Sequence, residues 1–170
     1  FRLQDTPTYC ITEVHQNDYV TSDDFRNIFQ NSINEWTTSL SESYPSEDEI
    51  WKIEVKQEIY SKNNLPDECD FVVEYKENLN DFPNALGVFH YSSKLDLPEI
   101  LISHDILKEK FEWDEMSTKD TIYKSARPVV IHEIGHSFGL GHYFVSDWGT
   151  MGNYYNFKEI PSIMYPAAVN

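Results

Sequence analysis

Residues 132–142 read His-Glu-Ile-Gly-His-Ser-Phe-Gly-Leu-Gly-His. On a helix, His132 and His136 stand one turn apart on a shared face, so both imidazoles can reach a single cation. Glu133 lies beside that face, where it can touch a water on the metal without ligating it. Gly139 can take the positive φ that ends a helix and reverses the chain. The reversal would return His142 as a third nitrogen. Three neutral imidazoles leave one position open on a tetrahedral Zn²⁺, which is the arrangement of a catalytic site. In such a site the metal acidifies a bound water and polarises a carbonyl, while a carboxylate at position 133 acts as general base. A helix end that is merely rich in histidine would not need all five fixed positions of H-E-x-x-H-x-x-G-x-x-H.

The rest of the chain must position that stretch. At 170 residues, 40% of them hydrophobic, it is long enough for one domain with its own core. The formal net charge of −16 argues against nucleic acid and anionic membranes as partners, and reads most simply as a solvated acidic surface. No apolar run approaches the ~20 residues of a membrane span. The first residue is Phe1 rather than Met, which suggests a mature or trimmed form. Cys10 and Cys69 lack metal-site spacing.

Local patterns predict the elements in turn. Residues 8–15 alternate as a strand. Thr21 and Asp24 are spaced as a capping box. The helix they open carries Phe25, Ile28, Phe29, Ile33, Trp36 and Leu40 on one face, a core stripe. Residues 41–49 read as a loop, 51–59 as a strand with one wet face, 61–68 as turns and 71–75 as a strand. Residues 76–86 read as a loop, 87–91 and 100–104 as short strands, and 106–120 as irregular. The helix bearing the histidines is predicted to start near Ser125, with Pro128 in its first turn.

The zinc-binding stretch resembles the signature of the metzincin metallopeptidases, and Ser162-Ile163-Met164-Tyr165-Pro166 resembles their Met-turn. Within that clan the chain is most similar to the matrixins, which share Gly-Leu-Gly-His at the helix end and Met-Tyr-Pro at the turn. The resemblance implies an α/β (α+β) zincin-like fold. Its parts are a twisted, mostly parallel five-stranded sheet with an antiparallel edge strand, a long N-terminal helix and an active-site helix. It implies an N-terminal subdomain over 1–141 and a small C-terminal subdomain with the Met-turn over 142–170.

The function implied is that of a secreted, monomeric zinc endopeptidase acting on polypeptides. Its ligands would be His132, His136 and His142, its base Glu133, and Met164 an apolar floor beneath the histidines. Substrate would add as a strand along the edge strand Gly87–Tyr91, pairing with backbone groups of Val88 and Phe89. Tyr165 would be structural. A second, structural zinc is implied at Asp81, His90 and His104, although Leu79 stands where a further histidine is expected; calcium is the other metal common in the family. Neighbouring first and third strands make a Cys10–Cys69 disulfide plausible, the alternative being two buried thiols. Neither cysteine resembles the prodomain switch of matrixins.

The chain departs from the pattern in the distance from His142 to Met164, 164 − 142 = 22 residues, so that 143–160 reads as an insertion on the primed side of the cleft. Tyr143 matches no subfamily marker. The alternatives are an inactive zinc-binding pseudo-protease serving as a binding module and a hydrolase of non-peptide amides. An intact Glu133 speaks against the first, and edge-strand binding against the second.

Overall fold

A computed structural model describes residues 7–43 and 52–141. His142, Met164, Tyr165, the 143–160 insertion and the expected C-terminal subdomain lie outside the described residues. Eight elements follow in order: β1 (Thr8–Val14), α1 (Ser22–Ser43), β2 (Glu54–Ile59), β3 (Phe71–Lys76), β4 (Gly87–Ser92), β5 (Leu97–Ser103), α2 (His104–Lys110) and α3 (Lys119–Ser137). They form a mixed α/β domain whose five-stranded sheet runs β2-β1-β3-β5-β4. All pairings are parallel except that of β4, which lies antiparallel to β5 at one edge. Among the described residues no helix is long and apolar enough to cross a membrane.

Strand alternation sorts the sheet into two faces. Tyr9 and Ile11 of β1, Phe71, Val73 and Tyr75 of β3, and Ile100 and Ile102 of β5 pack with Phe25, Ile28, Phe29 and Ile33 of α1 and Val130 and Ile134 of α3 in one core. The α1 stripe therefore faces the core from Phe25 to Trp36, as its spacing predicts, while Leu40 near the helix end lies outside that core. The helix opens on the capping box: the Asp24 N–H donates to Thr21 Oγ1 at 3.1 Å, and the Thr21 N–H donates to Asp24 Oδ2 at 2.8 Å. Its far half is tied to α3 by the Trp36 indole, which donates to the Ile131 carbonyl at 2.8 Å.

The opposite face is polar. Cys10 is joined to Cys69 there by a disulfide with Cα atoms 5.8 Å apart. This pins the loop before β3 across β1. Beside it, the buried carboxylates of Glu74 on β3 and Glu99 on β5 converge on Lys62 Nζ at 2.7 and 3.0 Å. Burial disfavours the Lys62 charge, but the hydrogen bonds it donates to Glu74 and Glu99 outweigh that and hold the ammonium above the usual lysine range. Thr12 completes the group by donating to Glu74 Oε1 at 2.8 Å.

Several boundaries differ from the sequence expectation. β2 begins at Glu54 and β5 at Leu97, and α1 runs on to Ser43. The stretch read as irregular after residue 106 contains most of α2, capped by Ser103, whose side chain accepts from the Ile106 N–H. α3 starts at Lys119 under a Thr118 cap, not near Ser125, so Pro128 is internal. Its ring costs the helix one hydrogen bond, which neighbouring turns and packing against α1 and the sheet offset.

Candidate active site

α3 carries the site at its C-terminal end, and the way the helix stops shapes it. Gly139 has φ 82°, a left-handed value that an L side chain rarely adopts. This lets the Gly139 N–H donate to the His136 carbonyl at 2.9 Å and the Leu140 N–H donate to the Gly135 carbonyl at 3.2 Å, the paired bonds of a Schellman cap. The same reversal delivers the Leu140 carbonyl to His136 Nδ1 at 2.7 Å. A carbonyl can only accept, so Nδ1 carries a proton, and in the neutral ring Nε2 then presents its lone pair. A carbonyl in this place is the kind of outer contact that sets the tautomer where a histidine binds a metal.

The His136 lone pair is aimed at His132. The two Nε2 atoms are 3.0 Å apart, with ring centroids at 4.6 Å and planes at 89°. Two imidazole nitrogens bound to one tetrahedral zinc at ~2.0–2.1 Å would lie about 3.3 Å apart. The separation and the set tautomer therefore fit a shared cation, with His142 the expected third ligand. Among the described residues, no group of three or more histidine, cysteine or acidic side chains is placed to hold a metal. The helix end beneath is braced by Ser137, whose hydroxyl meets the buried Tyr9 hydroxyl at 2.6 Å.

Glu133 points the other way, into the angle between α3 and β4, and is only 5% exposed. Burial pushes its carboxyl up to about 8, partly offset by the Phe89 backbone N–H, which donates to it. No lysine or arginine pairs with Glu133 among the described residues. A buried acid tuned close to neutrality suits proton transfer.

The proposed substrate strand is at the sheet edge. Val88 pairs with Leu101 and Phe89 with Ile100, and among the described residues no strand pairs with the far side of β4. Phe89 thereby brings the edge strand and Glu133 together, a juxtaposition the sequence analysis did not contain. Two further contributions were missed. The Leu140 carbonyl had a signal in the Gly-Leu-Gly turn, whereas the contact of Gly87 with Glu133 had none.

The expected second metal set is not assembled. His90 on β4 stands opposite Glu99, with His90 Nε2 3.2 Å from Glu99 Oε2. His104 lies five residues beyond Glu99, roughly 16 Å away at the rise of an extended strand. There it shares a hydrogen bond of 2.7 Å between its Nδ1 and the Tyr75 hydroxyl, and is surrounded by His15, Tyr19 and Trp113. Asp81 joins neither histidine in a metal-holding group. The inter-strand register separates the histidines, and Tyr75 and Glu99 already occupy them.

The chain is similar to a metalloendoproteinase. That protein, metalloendoproteinase 1-MMP of Arabidopsis thaliana, is 29% identical over 142 residues, which make up 82% of this chain and 34% of the relative. The chain thus spans about a third of the length of the curated relative it matches. No family model matches the chain. The similarity supports a matrixin-like relationship, and the five-stranded, mostly parallel sheet with its helices is consistent with a metzincin-like domain.

Proposed function

We propose that the protein is a zinc-dependent endopeptidase. The observation that carries this reading is the 3.0 Å approach of His132 and His136 Nε2 one residue from a buried glutamate at the sheet edge. His132 and His136, with His142, would hold the ion. Bound there, Zn²⁺ supplies a Lewis acid that polarises the scissile carbonyl and makes water acidic enough to react near neutral pH.

The chain supplies the rest. Glu133 accepts the proton of the attacking water and returns it to the leaving amine. Its buried place against β4 keeps the carboxyl close to neutrality, so it can take a proton and release it again within one cycle. The outer edge of β4, which carries Val88 and Phe89, would take a peptide as an added strand in the extended form hydrolysis needs, with the Phe89 N–H engaged by Glu133 until substrate arrives. His136 is kept in one tautomer by Leu140. Met164 would line the floor under the histidines, the substrate would be polypeptide, and the enzyme would act as a secreted monomer.

Cleavage of denatured casein by the purified chain tests this. Turnover that is abolished by a chelator, restored by zinc and absent in Glu133→Ala supports it. Zinc binding with no cleavage across a broad peptide library would leave a pseudo-protease that serves as a binding module.

A further inference from the structure

Gly87 is the first residue of β4 and pairs with Ile102, whose side chain lies in the core between sheet and helices. By strand alternation the same face of Gly87 is turned to α3. A methyl group built on Gly87 would lie 2.7 Å from Glu133 Cγ, 2.9 Å from its Oε1 and 3.1 Å from its Cδ. All three distances fall inside ordinary van der Waals contact. The Gly87 backbone is not in the left-handed region, where only Gly139 lies among the described glycines. Space rather than conformation therefore explains the glycine.

We infer that Gly87 is a positioning residue for Glu133: the place of its missing methyl is the slot in which the glutamate side chain rests against the edge strand. Phe89, two residues on, closes the slot with its backbone N–H on the carboxylate. The three atoms nearest a methyl at 87 all belong to the side chain of Glu133 rather than to backbone. The flexible side chain would yield, so the substitution displaces the carboxylate and spares the fold. This rests on the endopeptidase reading for its effect on rate, but not for the steric coupling itself.

The test is Gly87→Ala, made in the wild-type and in the Glu133→Ala background. In the wild-type background kcat on a peptide substrate falls by about 10²-fold, the scale of a misplacement of ~1 Å, while KM changes less than about threefold. Zinc content per chain is unchanged. Melting curves of the four proteins give a readout independent of activity. With Glu133 shortened to alanine the slot is vacant, and Gly87→Ala raises Tm, as replacing glycine does at an unstrained position. With Glu133 present that gain is reduced or reversed. Should Gly87→Ala alone fail to fold, recovery of folding in the double variant carries the same conclusion. Equal Tm changes in both backgrounds, failure of both to fold, or an unchanged kcat overturns the inference. A wild-type chain without peptidase activity sinks the proposed function alone, because the melting curves still decide whether Gly87 and Glu133 share that space.

Discussion

Glu74 and Glu133 are buried on opposite faces of one sheet, at 0% and 5% exposure, and their surroundings treat them in opposite ways. Glu74 meets Lys62 and Lys76, and Thr12 donates a hydrogen bond to it. Glu133 meets a glycine and a backbone N–H, with no lysine or arginine paired to it among the described residues. A buried charge costs several kcal/mol unless it is paired. The outer face meets that cost with lysine and becomes scaffold. At the α3 face the cost is left standing, which raises the proton affinity of Glu133. The difference separates a carboxylate that holds strands together from one suited to moving protons.

The largest effect should come from removing the Glu133 carboxylate. Glu133→Gln keeps the shape of the side chain and should lower kcat by about 10²–10⁴-fold with little change in Tm, measured on a quenched peptide and by calorimetry. The Cys10–Cys69 bridge, with its sequence separation of 59, restrains the unfolded chain and pins the loop that carries Lys62. Cys10→Ser/Cys69→Ser should cost about 2–4 kcal/mol in urea unfolding. Lys62→Ala strands Glu74 and Glu99 without their shared ammonium. Because Lys62 is itself 33% exposed, solvent screens the loss, and about 2 kcal/mol is expected with kcat unchanged. If Lys62→Ala abolished turnover at unchanged stability, the division into scaffold face and reactive face would be wrong.

The smallest effect concerns His104. Burial, reinforced by His15 nearby, holds its imidazole below the ordinary 6.5. The unfolded chain then binds the proton more readily than the folded one. This contribution to stability is complete above pH 6.5 and is lost as pH falls through the lowered folded value. Chemical denaturation of wild type and His104→Gln between pH 7 and pH 5 should show a flatter dependence in the variant.

The parts legible in the sequence were those set by short-range spacing. The α1 stripe, the Thr21–Asp24 box and the His132–His136 pair depend on helical period alone, and the structure contains each. The antiparallel edge position of β4 came from resemblance and is present. The start of α3 is hidden in the sequence by Pro128, which favours a first-turn position, whereas the helix begins at the Thr118 cap ten residues earlier. α2 escaped notice because seven residues with one fully buried apolar position, Leu107, show little period. His90 and His104 were brought together on paper by family spacing, but strand register separates them. The slot between Gly87 and Glu133 depends on contact across 46 positions, 133 − 87, which no local pattern encodes.

The central claim is that imidazoles at 132, 136 and 142 grip one divalent ion. Calorimetric titration of zinc into chelator-stripped protein tests it most directly, beside His136→Ala and His142→Ala. The account predicts one tight site per chain in the wild type, with affinity reduced at least ~100-fold in either variant. Equal tight binding by all three proteins, or no tight site in the wild type, would contradict it.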